Sequence, residues 1–401
     1  MTAEQFIHEN WHTCIRENKE DNDTLLGLPY PYIVPSPAGK FQEMYYWDTF
    51  FTCKGLLLSG RQELVKNCCD NMAYMVEKYG FVPNGSRTYY LTRSQPPYLS
   101  MMIRDVYDFY EDKEWLAAIL PSLKKEYDFW MTRRITPVGL NRHGAEMDKV
   151  AKPTNYNTSR IGVDTSDRDV LDVAECILCD CESGWDFNPR MDLHQIEFVY
   201  IDLNCNLHVY EKNFAYFSKV LGLGEEDMWE QKAAARVELM NKYLWTDEGY
   251  RDYNHVKNEH SKVLSVASFY PLWAGIASKE QAAKMLELLP RLEYDFGIAT
   301  CEKNDVPGRY QWSYPNGWAP LHYIMIRALD NYGFKEDAIR VAQKYVDTVE
   351  RNYKATGTLW EKYNVVTGDL TVTNEYEMPV MLGWSAGVYL FAKNYLRSQN
   401  K

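Results

Sequence analysis

The chain has 401 residues, of which 46% are hydrophobic and 25% charged, so its composition is that of a globular protein with a large core. Its 44 basic and 56 acidic side chains leave a formal net charge of −12. Such an acidic chain is not attracted to phosphate backbones or anionic lipids, so we expect neither a nucleic-acid nor a membrane partner.

The sequence also suggests a location. No apolar run approaches the roughly 20 residues that span a bilayer, and the first ten residues carry neither a basic region nor an apolar segment. Nine cysteines, with Cys68 and Cys69 adjacent, do not have the even count of a disulfide framework. We therefore expect reduced thiols and a cytoplasmic protein.

Amphipathic helices are the commonest pattern along the chain. In residues 61–79, apolar side chains recur at three- and four-residue spacing, and Gly80 follows as a helix end. Similar patterns predict helices over 4–15, 48–60, 98–111, 114–134, 194–221, 225–244, 264–276, 279–289, 317–332, 335–354 and 380–397. With few strand patterns and no linker, these twelve helices favour an all-α fold of one domain over residues 1–401. Six helical hairpins would close into a ring, an (α/α)6 toroid.

The segment 35–48 concentrates aromatic and charged side chains just before the second predicted helix. Its composition suits a pocket that stacks on the C–H face of a sugar and hydrogen-bonds its hydroxyl groups, although buried aromatic residues at a helix entry would look the same. The 31 tyrosines, against 15 phenylalanines, agree with an amphipathic pocket. The candidate pocket residues in this segment are Lys40, Phe41, Tyr45, Trp47 and Asp48.

The turn-rich segment 81–97 presents amide and guanidinium groups in Asn84, Arg93 and Gln95. Such side chains read hydroxyl groups, and a loop allows several of them to converge on one ligand. Hydrogen bonds that merely stabilise the loop are the alternative interpretation.

Residues 141–190 form the longest segment without a clear period, which is typical of a lid or a binding loop. It contains a cysteine cluster, Cys176, Cys179 and Cys181, without the second pair or histidine motif of a zinc site, so we expect no metal. The sequence also lacks a phosphate-binding loop, a dinucleotide fingerprint, a nucleophile elbow and an HExxH motif.

Two acidic positions are candidates for catalysis. Asp186 lies between Trp185 and Phe187, so its pKa should rise if it faces an apolar pocket, and it could then donate a proton. It could instead cap a helix or pair with Arg190. Near the C-terminus, Glu375 and Glu377 precede the last predicted helix; one could be a base, or either could be a first-turn glutamate favoured by the helix dipole.

Together these segments resemble the trehalases of glycoside hydrolase family 37. The family signature Pro-Gly-Gly-Arg-Phe-x-Glu-x-Tyr-x-Trp-Asp-x-Tyr is similar to PAGKFQEMYYWDTF at 37–50, and Gln-Trp-Asp-x-Pro-x-Gly-Trp-x-Pro is similar to QWSYPNGWAP at 311–320. Further matches lie at 83–97, 182–187, 199–203 and 375–387, in the order of the family. The resemblance therefore runs from about residue 28 to the end of the chain.

The resemblance implies an (α/α)6 toroid whose loops close around a sugar, and hydrolysis of an α-glucosidic bond with inversion and without a cofactor. Asp186 matches the general acid of the family. Glu375 matches the general base, since it stands nine residues before Trp384. The positions that match the sugar-binding residues of the family are Lys40, Phe41, Tyr45, Trp47, Asp48, Asn84, Arg93, Gln95, Gln311 and Trp312.

Three departures from the family pattern bear on the substrate. Lys40 stands where the signature has arginine, and Ser313 where it has aspartate. The stretch 152–156 lacks the arginine and glutamate of an Arg-Pro-x-Glu segment that contacts the second glucose. We expect trehalose as the substrate, and these changes leave two alternatives: hydrolysis of another disaccharide or a small glucosylated solute, and a non-catalytic sugar-binding protein on the same scaffold.

Overall fold

The computed structural model describes residues 1–399. Short capping sequences define several helix ends. Thr2 and Ser278 each form a capping box with a glutamine three residues later, and Gly80 ends a helix in the left-handed region. The α-helices of this range are α1 Ala3–Asn10, α2 Tyr46–Leu58, α3 Gln62–Tyr79, α4 Leu99–Tyr110, α5 Lys113–Arg133, α6 Val170–Ser183, α7 Ile201–Leu221, α8 Glu226–Tyr243, α9 Tyr270–Trp273, α10 Lys279–Leu288, α11 Ala319–Asn331, α12 Lys335–Thr356 and α13 Gly383–Gln399.

Six of these helices form a closed inner ring. Contacts run from α2 to α4, α7, α9, α11 and α13, and back from α13 to α2. Among the remaining helices, α3 packs against α2 and α4, α5 against α4 and α7, α8 against α7, and α12 against α11 and α13, while α1 contacts α12. The alternation of inner and outer helices makes the chain an all-α (α/α)6 toroid, as the helical periodicity and the resemblance predict.

Helices α2 and α13 approach each other closely. Gly55 and Gly387 face each other, and a Cβ atom on Gly387 would lie 2.2 Å from the carbonyl oxygen of Phe51. Only glycine allows the two backbones this separation. Backbone contact between these two helices therefore contributes to the closure of the ring.

All twelve predicted helical segments contain helix, but two expectations need correction. Segment 264–276 contains a 3-10 helix, Val266–Phe269, followed by the single turn of α9. The segment 141–190, expected to be loop, contains α6, which begins after the cap Asp169 and ends at Gly184. Apolar side chains recur at helical spacing along α6, at Val170, Val173, Ala174, Ile177 and Leu178, so a helical period was present in the sequence.

The β-structure consists of short antiparallel pairs between helices: β1 Ile15–Arg16 with β2 Tyr32–Ile33, β3 Phe198–Val199 with β6 Tyr253–Asn254 and β7 Glu259–His260, β4 Trp245–Thr246 with β5 Gly249–Tyr250, β8 Glu293–Tyr294 with β9 Gly297–Ile298, and β10 Asn316–Trp318 with β11 Lys362–Asn364. The last pair matters for the site. It sets Gly317 opposite Tyr363 and so joins the segment before α11 to the segment before α13.

Candidate active site

A cavity of about 710 Å³ lies where the segments that precede the inner helices meet. Its lining comes from the connections before α2, α4, α7, α11 and α13, and from the C-terminal part of α6. Because inner helices of such a toroid run parallel, these connections gather at one end of the ring. All twelve residues singled out from the sequence line this one cavity: Lys40, Phe41, Tyr45, Trp47, Asp48, Asn84, Arg93, Gln95, Asp186, Gln311, Trp312 and Glu375.

Tryptophan side chains form much of the apolar wall. Trp312 stacks on Trp318 with ring centroids 3.8 Å apart and planes 3° from parallel. Trp47 lies 5.4 Å from Trp312, and Trp384 meets both Trp47 and Trp318 edge-on. Rings fixed in this way offer a rigid apolar face to the C–H groups of a sugar.

Asp186 follows the C-terminal end of α6. The turn at Gly184 has φ 77°, and a Cβ atom there would lie 2.7 Å from the Trp47 ring, so glycine is needed on both counts. Gln311 donates through Nε2 to the backbone carbonyl of Asp186 at 2.7 Å. Burial, together with the charge of Glu375, raises the pKa of Asp186 to about 8, which keeps the carboxyl group protonated at neutral pH.

The alternative partner of Asp186 is engaged elsewhere. Arg190 is fully buried and pairs with Asp252 at 2.8 Å and with Asp202 at 3.3 Å. Asp186 therefore faces the cavity rather than an ion pair with Arg190.

Glu375 is the second acidic group at the centre of the cavity. Arg160 donates through Nη1 to Oε1 at 2.8 Å, and Gln311 donates through Nε2 to Oε2 at 3.2 Å. Burial raises the pKa of Glu375, and Arg160 is the strongest opposing influence. Glu377 is exposed and lies outside the lining of the cavity, so the structure brings only Glu375 of this pair to Asp186.

The remaining candidate residues supply polar groups at the wall. Asn84 donates to the carbonyls of Ser94 and Cys181, and the Gln95 side chain accepts from the backbone of Trp47. Arg93 is buried, and within residues 1–399 its Nε has no hydrogen-bond partner. A buried guanidinium with an unused donor is suited to an incoming hydroxyl group.

The sequence interpretation missed several lining residues, of which Glu361, Tyr376 and Arg160 carry polar groups near Glu375. Glu361 is buried, pairs with Lys362 at 2.6 Å and accepts from the Tyr376 hydroxyl at 2.7 Å. The adjacent Glu361–Lys362 charges inside an otherwise apolar stretch, 359–363, were the available signal. No comparable signal marks Arg160, which lies in the short 3-10 helix Thr158–Arg160.

Two of the three departures border the cavity. Lys40 is exposed and lies 5.0 Å from the centre of the Tyr376 ring, and Asn155 and Tyr156 of the stretch 152–156 are lining residues. Ser313 is not in the lining and accepts from Asn304 at 3.3 Å.

The helices of residues 1–399 include none long and apolar enough to cross a membrane, and this range contains no cluster of acidic, histidine or cysteine side chains suited to a metal.

Comparison with known proteins agrees with this architecture. A family model described as Trehalase matches residues 2–396. The periplasmic trehalase of Escherichia coli O1:K1 is 33% identical over 420 residues, covering 97% of this chain and 73% of that protein. Neutral trehalase Nth1 from Saccharomyces cerevisiae is similar in structure, with a TM-score of 0.78 and 26% identity over 99% of this chain and 80% of that one. A GH63 mannosylglycerate hydrolase from Thermus thermophilus, with a TM-score of 0.67 at 16% identity, shares the fold, and the match covers 98% of this chain and 100% of that one.

The expected cytoplasmic location is wrong, because the Escherichia coli relative is a periplasmic protein. The expectation rested in part on the unpaired cysteines. All nine cysteines are free, and eight of them are buried. The absence of disulfide bonds among these buried side chains therefore does not indicate the compartment.

Proposed function

The chain belongs to the trehalase family of glycoside hydrolases, and from that premise we propose that it hydrolyses α,α-trehalose to two glucose molecules with inversion at the attacked carbon. One observation carries the assignment of roles. Asp186 and Glu375 line the same tryptophan-walled cavity, and Glu375 has a cationic partner whereas Asp186 has no ion pair within residues 1–399.

Asp186 acts as the general acid. An inverting glycosidase needs a neutral acid to protonate the glycosidic oxygen as the bond to the anomeric carbon breaks. Burial and the neighbouring Glu375 charge raise the pKa of Asp186 to about 8, which supplies that neutral form at the pH of a cell compartment.

Glu375 acts as the general base. It takes a proton from a water molecule that attacks the anomeric carbon on the face opposite the leaving group, so an inverting pair stands roughly 6.5–9.5 Å apart to leave room for water. Gln311 supports this arrangement, because a single amide nitrogen binds both the backbone of Asp186 and the carboxylate of Glu375. The tryptophan wall and the groups of Asn84 and Arg93 hold the glucose unit between them.

Substitution of the two carboxyl groups tests the roles. Asp186→Asn and Glu375→Gln should each lower kcat for trehalose by at least roughly 10²-fold with the fold intact by circular dichroism, since general acid or base catalysis contributes about 10²–10⁴-fold. Glu377→Gln, an exposed glutamate two residues away, is the matched control and should retain activity. Proton NMR of the reaction should show equal amounts of α- and β-glucose at early times; retention, or an active Asp186→Asn variant, contradicts the proposal.

A different leaving group is the second candidate. Lys40, Asn155 and Tyr156 border the cavity at places where the family pattern differs, so the second subsite has its own chemistry. A panel of α-glucosides with different aglycones, assayed for glucose release, separates the two candidates. A kcat/KM higher for another glucoside than for trehalose would favour this one.

We also infer that residues 1–401 act as one catalytic domain. The cavity draws its lining from residues 40 to 384, and the largest core cluster runs from Ala3 to Tyr395. A domain boundary anywhere between residues 40 and 384 would divide the wall of the cavity as well as the core.

A further inference from the structure

Arg160 reaches the proposed base from a part of the chain remote in sequence. It ends the 3-10 helix Thr158–Arg160 in the insertion between α5 and α7, whereas Glu375 lies in the segment before α13. Their 2.8 Å ion pair therefore bridges two segments that border the cavity. Within residues 1–399, Arg160 forms no other ion pair or side-chain hydrogen bond.

The two oxygens of Glu375 are held by different groups. Arg160 binds Oε1, and Gln311 binds Oε2. Gln311 is itself oriented, because its side-chain oxygen lies 3.4 Å from Lys362 Nζ. With one donor on each oxygen the plane of the carboxylate is fixed, and each oxygen retains a lone pair for a water molecule.

Several charged and titratable groups surround Glu375. Arg160 and Lys362 favour its ionised form, and Glu361 opposes it. Asp186 and Cys181 face it from the end of α6, and Tyr376 is its chain neighbour; burial keeps the thiol and the phenol neutral. Lys362 is already paired with Glu361 at 2.6 Å, so its charge is largely compensated. Arg160 is left as the cation in direct contact with Glu375.

We propose that Arg160 is a positioning residue that holds Glu375 in the charged and oriented form that a general base requires. The inference rests on the proposed role of Glu375 in hydrolysis. Arg160 acts through that carboxylate. Because the pair joins the insertion to the segment before α13, the base is complete only when the insertion is folded over the cavity.

The two side chains differ in exposure, so the role of Arg160 can be tested without loss of the fold. The Glu375 side chain is 6% exposed, whereas the Arg160 side chain is 65% exposed. Replacing Arg160 thus removes little packing. The variant should fold, and its effect should appear in the titration of the base.

The experiment is a pH–rate profile of Arg160→Gln. Loss of an opposite charge in contact raises a carboxyl pKa by about one unit or more, so the acidic limb of kcat/KM should move up by about one pH unit. At a pH below that limb, activity should fall about tenfold. The alkaline limb should move up less, because Arg160 is a weaker influence on Asp186 than on Glu375. Arg160→Lys, which retains the charge, should return the acidic limb towards its original position.

Arg309→Gln is the matched control. Arg309 is an exposed arginine whose backbone amide donates to Ile161, and within residues 1–399 it forms neither a hydrogen bond nor an ion pair with Glu375. It should leave the profile unchanged. If Arg160→Gln leaves the acidic limb in place, or lowers activity equally at every pH, the inference is wrong. Glu375→Gln distinguishes failure of the proposed base from failure of the role of Arg160. If Glu375→Gln is active, the proposed base is wrong. If Glu375→Gln is inactive and the pH–rate profile of Arg160→Gln does not move, only the role of Arg160 is wrong.

Discussion

At the scale of single residues, the two carboxyl groups of the cavity differ in what surrounds them. Tryptophan rings and the neighbouring Glu375 make the charged form of Asp186 costly, while Arg160 compensates the charge of Glu375. Burial raises the pKa of both groups, but within residues 1–399 only Glu375 has an ion pair that opposes the rise, and this difference in environment assigns the acid and base roles. Local sequence allowed part of this assignment, because Trp185 and Phe187 flank Asp186.

The alkaline limb of the pH–rate profile should report Asp186. The acid must be protonated, and burial places its pKa at about 8, so kcat/KM for trehalose should fall about tenfold per pH unit above about pH 8. Initial rates measured from about pH 5 to about pH 10 at fixed ionic strength check this. A profile that stays level throughout this range would contradict the role of Asp186 as the proton donor.

Glu361 is expected to matter for stability as well as for the shape of the cavity. Its ion pair with Lys362 is fully buried, and Glu361→Gln leaves the lysine charge without a counter-charge. Breaking a buried pair from one side costs about 3–5 kcal/mol, so the free energy of unfolding in urea should fall by that order. Glu377→Gln, at an exposed position nearby, should change it by less than about 0.5 kcal/mol. An equal effect of the two substitutions would contradict a buried pair.

At the scale of elements, sequence periodicity predicted the helices that have one face in the core and one in water. Helix α3 is such a case, and its predicted and observed bounds agree within one residue. Helix α6 was missed although its cap Asp169, its apolar spacing and its end Gly184 were all present in the sequence. The acidic residues Asp180 and Glu182 of this helix are buried, and their burial depends on tertiary contacts that the sequence pattern does not show.

Closure of the ring at α2 and α13 depends on Gly387. A Cβ atom there would lie 2.2 Å from the Phe51 carbonyl oxygen and 2.8 Å from the Thr52 Cα, both in the backbone of α2. Gly387→Ala must move one helix, and overpacking of this kind costs about 1–3 kcal/mol. Thermal unfolding should show the loss, with Asn394→Ala on the exposed side of α13 as the control. A Gly387→Ala variant as stable as the control would contradict the close contact.

At the scale of the molecule, the composition and the ordered motifs were enough to predict the toroid and to bring all twelve candidate residues to one cavity. Each motif lies before an inner helix, so its place in the chain determined its place in space. Arg160 could not be predicted in this way. Its contact with Glu375 depends on the path of the insertion between α5 and α7, which no local pattern describes.

Glu182 connects that insertion to the rest of the molecule. It is fully buried, and both oxygens accept from Arg134 at 2.8 Å, while the backbone amides of Ser94 and Gly144 complete its hydrogen bonds. Four donors thereby join the end of α6 to the segments that follow α3 and α5. Although burial alone would raise the pKa of Glu182, Arg134 lowers it to about 2.

The pH dependence of stability follows from that shift. A carboxyl group whose pKa is lower in the folded state stabilises the fold above its unfolded pKa, near 4.5, and this stabilisation is lost as the pH falls towards 2. Glu182→Gln should cost about 3–5 kcal/mol at about pH 7 in urea unfolding, because Arg134 loses its buried partner. The difference from the wild type should shrink by about pH 3. Glu175→Gln, in a partly exposed pair of the same helix with Arg142, should cost less than about 1 kcal/mol at either pH. If the loss of unfolding free energy in Glu182→Gln is the same at about pH 3 and at about pH 7, the ionised Glu182–Arg134 pair does not stabilise the fold.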